Sequence, residues 1–338
     1  MNDPGRIITA QGSVAPEEVG RVLMHEHLHF DCWDWENGRM QEEAPISEER
    51  RALLMDEAIP YLAKLNEHDC HAFVEASPPP FRAWPDFYVD ASRAAGIHIV
   101  LCTGFYREVE TGTYWVSNPK DAIWPFAREA SVDEMADFCI GELLDGIHGT
   151  EVRAGAIKLA SSAAEFTEAE EKAFRAGARA QKASGAHITT HCTALGAEET
   201  QIRLLDEEGV PLSRVVVGHT AGHLADPERR KNCLKWMERG VSFLPTNLSV
   251  DGDIERWRPL VEAIHEIFDA GHGDKICFGL DWAFCSESGP FGACTFMPPP
   301  PFLYMFTDIL PAFRELGLTP EEEEVIMLEN PRRILSIQ

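Results

Sequence analysis

Six residues able to bind metal ions lie far apart in the chain, each at or near the end of a short apolar segment. They are His25, His27, Lys158, His191, His219 and Asp281. Short, nearly continuous apolar segments are typical of buried parallel strands. Parallel strands that close into a barrel bring their carboxyl ends to one face. The pattern therefore predicts that these side chains gather at one metal-binding mouth.

His25 and His27 form a His-X-His pair in the first apolar segment. Residues two apart on a strand point to the same side, so both imidazoles can reach one ion. The pair alone is weak support for a metal site, because histidine has many structural uses. His29 continues the same face. It could support a metal ligand, face the substrate or simply pack, and we leave its role unassigned.

Lys158 interrupts the apolar segment Ala-Gly-Ala-Ile-Lys-Leu-Ala. Lysine is almost never fully buried without a partner, although a lysine at a strand end can extend its amine to the solvent. Burial lowers the pKa of an amine, and a neutral amine can react with carbon dioxide to form a carbamate. A carbamate is an anionic ligand with two oxygens, able to bridge two cations. Asp281 follows the last apolar segment. A carboxylate at that position needs a cation or hydrogen bonds, and its alternative role is to cap the loop that follows.

Strands and helices are predicted to alternate along the chain. Capping patterns start helices at Ser131, Thr167, Thr319 and Asp226-Pro227. Eight apolar segments predict strands: Val22–Phe30, Ala72–Ala76, Ile97–Cys102, Val152–Leu159, His187–Cys192, Val215–His219, Val241–Pro245 and Lys275–Leu280. This alternation predicts an α/β fold, a (β/α)8 TIM barrel with a short N-terminal extension and long βα loops, over residues 1–338 as a single domain. A doubly wound open sheet is the alternative, but no glycine-rich phosphate loop follows an early strand.

Composition narrows the class of protein. The 338 residues carry a formal charge of −26, which disfavours binding to nucleic acid or to an anionic membrane surface. No apolar stretch approaches the roughly 20 residues that span a bilayer, and no secretory signal is visible. The nine cysteines are dispersed without a CxxC pair. They predict reduced thiols and a cytoplasmic location.

Two long segments without predicted strands or helices are expected to bind substrate. One runs from Gly104 to about Ser131, and the other follows Asp281 through Pro298–Pro301. Aromatic residues near the strand ends predict a small-molecule substrate with an apolar or aromatic acyl group, although they could equally pack the loops themselves. The candidate substrate contacts are Trp33, Phe105, Tyr106 and Trp282.

The six positions occur together with further motifs: GSVAPEEVGRVLMHEHL, TGFYRE, AGAIK, THC, GHT and ENPRRIL. Over nearly its full length, the chain resembles the phosphotriesterase family of the amidohydrolase superfamily. The resemblance implies a binuclear metal centre bridged by a carboxylated lysine and a hydroxide. His25, His27 and Asp281 would hold the buried cation, His191 and His219 the more exposed one, and Lys158 both. Zinc is the leading expectation, and manganese, cobalt, nickel or iron would suit the same donors.

The resemblance also implies a mechanism and an assembly. Hydroxide would attack a carbonyl or phosphoryl group, and Asp281 would accept its proton. Tyr106 matches a tyrosine that contacts the bridging or attacking group in the lactonase branch, and an ordinary packed aromatic is the alternative. A homodimer is expected. That branch carries an arginine after the seventh strand, where this chain has Asn247 and no basic residue.

We therefore expect hydrolysis of a lactone or a carboxylic ester. A phosphotriesterase or an amidase on the same centre is the alternative, because one hydroxide serves all of these reactions. A deaminase is a weaker alternative, since deaminase sites on this barrel commonly use one metal and need no bridging lysine. A non-catalytic ligand-binding barrel is a further alternative, which the six intact ligand positions oppose.

Overall fold

The computed structural model describes residues 5–28, 33–34, 39–40, 46–79, 81–108, 125–250, 252–282 and 302–338. Strands β3 and β6 to β11 form one parallel sheet in the order β11-β10-β9-β8-β7-β6-β3, and β1-β2 and β4-β5 are short antiparallel pairs. In chain order the strands are β1 (Ile7–Thr9), β2 (Gly12–Val14), β3 (Arg21–Glu26), β4 (Trp33–Asp34), β5 (Arg39–Met40), β6 (Cys70–Glu75), β7 (His98–Gly104), β8 (Ala156–Ala160), β9 (His187–His191), β10 (Val215–Gly218) and β11 (Ser242–Leu244).

Residues 276–280 close this sheet into a barrel. Ile276 forms a parallel bridge to Phe243 of β11. On the other side, the N–H of Met24 in β3 donates to the Phe278 carbonyl at 3.0 Å. Gly279 permits this close approach, because a Cβ there would lie 2.7 Å from the backbone nitrogen of His25. The architecture is the predicted (β/α)8 barrel. The predicted strand Lys275–Leu280 is a hydrogen-bonded extended segment and not a regular strand.

The helices cover the outside of the barrel, and their predicted starts are confirmed. Ser131, Thr167 and Thr319 form capping boxes, and the Asp226 side chain accepts from the N–H groups of Glu228 and Arg229. The helices are α1 (Glu48–Lys64), α2 (Pro85–Ala95), α3 (Pro125–Glu129), α4 (Val132–Leu144), α5 (Glu168–Ser184), α6 (Ala197–Glu207), α7 (Ala221–Ala225), α8 (Pro227–Glu238), α9 (Arg258–Asp269), α10 (Leu310–Glu315), α11 (Pro320–Glu324) and α12 (Asn330–Leu335), with π-helical turns at Met305–Ile309 and Val325–Glu329.

Some element boundaries differ from the prediction. The strand predicted to begin at Val152 begins at Ala156, because the preceding residues bond elsewhere: the Ala154 N–H donates to the Glu142 carbonyl at the end of α4. The N-terminal extension is the β1-β2 hairpin, and α3 lies within the first predicted long loop. Residues 283–301 of the second long loop lie outside the described residues.

The apolar residues form two layers separated by the strands. One layer fills the barrel interior and includes Val22, Met24, Val74 and Val216. The larger layer packs between the strands and the helices and includes Phe73. Alternation along each strand produces this division, because successive side chains point to opposite faces of the sheet. No helix in the described part of the chain has the length and apolar character to cross a bilayer.

His187 is predicted to make the free energy of unfolding depend on pH. It is fully buried, and neither ring nitrogen has a hydrogen-bond partner among the residues that the structure describes. Burial, with Arg214 nearby, lowers its pKa to about 3. The unfolded chain takes up this proton near pH 6.5, so the stabilisation is complete above that pH and is lost as the pH falls towards 3.

His187→Gln should therefore flatten the acid dependence of unfolding. Between pH 7 and pH 5, the wild-type chain should lose about 2 kcal/mol more free energy of unfolding than the variant. Urea unfolding at both pH values measures this difference. His272→Gln, at a partly exposed position, is the control and should behave as wild type. Equal losses in wild type and His187→Gln would contradict the prediction.

Candidate metal centre

The structure brings all six predicted donor residues to the carboxyl end of the barrel. His25 lies near the end of β3 and His27 directly follows it, while Lys158 lies within β8. His191 ends β9, His219 follows β10, and Asp281 follows the closing segment.

Three residues at this mouth, each within three positions of the end of a strand or of the closing segment, have left-handed backbone conformations. The φ angles are 61° at His219, 57° at Asn247 and 61° at Asp281. Such conformations are uncommon for residues other than glycine and concentrate at functional sites.

The side chains of His25 and His27 both contact the carboxylate of Asp281. Its Oδ1 atom lies 3.2 Å from His25 Nε2 and 3.2 Å from His27 Nε2. One ligand atom from each of these three residues lies within 4.8 Å of the others, which could hold one metal ion. Burial alone would raise the pKa of Asp281, but His219, His25 and His27 hold it well below its usual range. The carboxylate is therefore ionised.

Lys158 lies beside this group and inside the barrel. Its Nζ atom is 2.9 Å from His25 Nε2, and its side chain is almost completely buried. Burial lowers the pKa of Lys158 to about 8, although Asp281 opposes the shift. A substantial fraction of the amine is therefore neutral near physiological pH, which carbamate formation requires.

His191 and His219 form the other side of the mouth. Their ring centroids are 4.2 Å apart, and those of His25 and His219 are 4.9 Å apart. His219 Nδ1 lies 2.8 Å from Thr246 Oγ1, whereas its buried Nε2 has no hydrogen-bond partner within the described ranges. Burial lowers the pKa of His219 to about 4 and that of His191 well below its usual value. Both rings are neutral, as metal ligation requires.

Asn247 occupies the mouth where the resemblance would place an arginine. Its Nδ2 atom donates to Asp281 Oδ2 at 3.1 Å and to Thr246 Oγ1 at 3.2 Å. It therefore connects the carboxylate that contacts His25 to the hydroxyl that contacts His219. The sequence showed only that Asn247 differs from the arginine of the lactonase branch, whereas the structure shows which atoms Asn247 contacts.

Glu26 is a site residue that the sequence reasoning missed. Its Oε1 atom accepts from the Leu280 N–H at 2.7 Å, and its Oε2 atom accepts from the Trp282 N–H at 3.3 Å. These donors lie on either side of Asp281, so Glu26 fixes the backbone that presents the carboxylate. An acidic residue within a buried strand is expensive without partners, which is the signal that could have found it.

Glu75 and Ser77 support His27 from the neighbouring strand. Glu75, the last residue of β6, accepts from the Leu28 N–H at 2.6 Å and from the Ser77 N–H at 3.2 Å. Ser77 Oγ lies 2.7 Å from His27 Nδ1. A partner on the second ring nitrogen sets the tautomer and orientation of a histidine, and leaves Nε2 to face Asp281.

The predicted substrate contacts divide between the mouth and the core. The Tyr106 ring packs edge-on against His191, with centroids 5.5 Å apart. Phe105 is buried against Phe126 and Phe138 between the barrel and the helices. Trp282 is buried and stacks on Tyr304. These two placements favour packing roles, because neither side chain is accessible to a ligand.

Trp33 is the fourth predicted substrate contact. Trp33 pairs with Met40 through its backbone in β4, and its side chain lies outside the described residues. His29, which the sequence left unassigned, also lies outside them.

Comparison with known proteins places this arrangement in a family. The model of the phosphotriesterase family matches residues 5–335. The phosphotriesterase homology protein of Mycobacterium tuberculosis is 28% identical over 98% of this chain and 97% of its own length. The N-acetyltaurine hydrolase of Tetraodon nigroviridis is 23% identical over 100% and 99%.

A solved structure agrees with the sequence relatives. A mutant organophosphorus hydrolase from Deinococcus radiodurans superimposes with a TM-score of 0.78 and 27% identity, covering 98% of this chain and 97% of its own. The family match extends over all eight barrel segments and all six donor positions. The chain belongs to the phosphotriesterase family and is a hydrolase.

Proposed function

We propose that the protein is a binuclear metal-dependent hydrolase that cleaves a lactone or a carboxylic ester. The convergence of six donor residues from five separate segments at one end of the barrel carries the proposal. Such a concentration of imidazoles around a buried lysine and a carboxylate is costly without cations, because His25 Nδ1 and His219 Nε2 are buried without a hydrogen-bond partner among the described residues.

The donors divide into two sets. His25, His27 and Asp281 would hold the buried cation, and His191 and His219 the more exposed one. His219 Nε2, which has no hydrogen-bond partner among the described residues, would be one of the nitrogens that bind. Lys158, as a carbamate, would reach both. Two divalent cations at this position, with zinc as the leading candidate, would supply a hydroxide near neutral pH and polarise the substrate oxygen.

The chain's own residues orient the reaction and move its proton. Asp281 is ionised and faces the centre, so its carboxylate is placed to accept the proton of the attacking group. Asn247 holds the second carboxylate oxygen and so restricts its rotation. Tyr106, beside His191, would contact the substrate on the exposed side.

Amide hydrolysis is the second candidate. The relative named N-acetyltaurine hydrolase covers the whole length of this chain, and its name describes cleavage of an acyl-nitrogen bond. The organophosphorus hydrolase fold relative supports a phosphotriester in the same way. The same centre can attack each of these bonds, so the substrate-binding groups decide among them.

A metal and substrate experiment tests the proposal. The metal-reconstituted chain should hold at least about two equivalents of transition metal, and Lys158→Ala should hold about two fewer than the wild-type chain. Aryl esters, lactones, N-acetylated amines and dialkyl aryl phosphates are then compared by kcat/KM, and the lactone or ester should exceed the others by at least about tenfold. A preference for the amide or the phosphotriester would show that the protein cleaves that bond and not a lactone or ester. Less than about a tenth of an equivalent of metal would contradict it.

Location and assembly are part of the same proposal. The six described cysteines are buried free thiols, which supports a reducing cytoplasmic environment. A homodimer and a single domain over residues 1–338 stay predictions.

A further inference from the structure

A second cluster of metal-ligand side chains lies behind the loops that carry His191 and His219. It consists of Cys192 directly after β9, Glu198 in the first turn of α6, and His223 in α7. All three residues are buried, and one ligand atom from each lies within 4.8 Å of the others. This cluster is distinct from the six donors of the candidate metal centre.

Two polar atoms of the cluster lack hydrogen bonds. Glu198 Oε2 and His223 Nε2 are both buried, and neither has a hydrogen-bond partner among the described residues. They face each other at 3.4 Å. This contact compensates only part of the cost of burying the two groups, because it lacks hydrogen-bond geometry. An ion bound to both atoms would remove that cost.

The separation of these atoms suits one ion. Nitrogen and oxygen ligands about 2.0–2.2 Å from a tetrahedral zinc ion are about 3.4 Å apart, which is the distance between His223 Nε2 and Glu198 Oε2. A thiol, an imidazole and a carboxylate are the three side-chain ligands that zinc uses. Cys233 of α8 is buried within electrostatic range of Cys192 and Glu198. A water molecule can complete the tetrahedron.

We propose that Cys192, Glu198 and His223 bind a structural zinc ion, separate from the candidate binuclear centre. Binding forms the zinc–sulfur bond and releases the Cys192 thiol proton to solvent, while His223 binds as the neutral ring. Cys192 directly follows His191, and His223 lies on the helix that begins two residues after His219. The ion therefore ties together the two loops that present these histidines to the mouth of the barrel.

Cobalt reconstitution of the full chain tests this site. The six donors of the binuclear centre include no cysteine, so a thiolate-to-cobalt charge-transfer band cannot come from that centre. The wild-type chain should show the band. Cys192→Ala should lose it, and Cys139→Ala, a buried cysteine in α4, should keep it. His223→Gln should weaken cobalt binding at the thiolate site by at least about tenfold.

Two further observations decide the outcome. Lys158→Ala should keep the band, so loss of the binuclear centre and failure of this site are distinguishable. Absence of the band from the wild-type chain at every cobalt ratio would show that Glu198 and His223 form an ion pair only, and would overturn the proposal. If Cys192→Ala does not fold, loss of the band in His223→Gln supports the site, and an unchanged band in His223→Gln overturns it.

Discussion

Lys158→Ala is expected to remove both cations and to lower kcat/KM by more than about 100-fold. The reason is that changes to residues that only support a metal ligand already cost about 10- to 100-fold. Lys158 is the one proposed ligand that reaches both cations, and its amine lies 2.9 Å from His25 Nε2. Elemental analysis and steady-state kinetics, measured on the same preparation, check both effects.

A carboxylate added to the Lys158→Ala variant tests the carbamate separately. A short carboxylic acid can enter the space left by the side chain and supply two bridging oxygens, so acetate or propionate should restore part of the activity. Lys172→Ala is the matched control, because the Lys172 amine hydrogen-bonds the backbone carbonyls of Arg128 and Ala130, away from the mouth of the barrel. Full activity of Lys158→Ala without added carboxylate would contradict a bridging carbamate.

Glu26→Ala is expected to lower the free energy of unfolding by about 2–4 kcal/mol, because it leaves two buried main-chain N–H groups without acceptors. These groups belong to Leu280 and Trp282, so the change also releases the backbone around Asp281. Metal affinity should fall by about 10- to 100-fold. Urea unfolding of the metal-free chain and metal titration measure the two effects independently.

Glu26→Gln is the matched variant for this prediction. Burial raises the pKa of Glu26 well above its usual range, although the N–H groups of Leu280 and Trp282 oppose the shift. The neutral amide keeps one acceptor oxygen for one of these two N–H groups, so Glu26→Gln should cost about 1–2 kcal/mol, less than Glu26→Ala. If Glu26→Gln destabilises the chain as much as Glu26→Ala, the side chain acts as an anion and the argument from burial is wrong.

Much of the fold follows from local patterns in the sequence. The capping boxes at Ser131, Thr167 and Thr319 depend on residues three positions apart, and they form as predicted. The buried strands follow from continuous apolar segments, whose ends differ from prediction by a few residues. Only the closing segment is less regular than expected, since Gly279 must pass close to His25.

The gathering of the candidate donors was also predictable, because topology alone brings the carboxyl ends of parallel strands together. The contacts among them were not. His27 and Asp281 are 254 positions apart, and their 3.2 Å separation depends on the closure of the barrel. Phe105 and Trp282 were expected at the mouth, whereas the structure turns both side chains into the core.

The sequence by itself therefore determined the family, the barrel and the set of residues at its mouth, since residue type and strand order carry that information. Only the tertiary structure decided which oxygen of Asp281 faces the histidines, that Glu26 holds the Asp281 backbone, and that Cys192 meets Glu198 and His223. These relations depend on side-chain direction and on packing between distant segments. Neither leaves a periodic pattern along the chain.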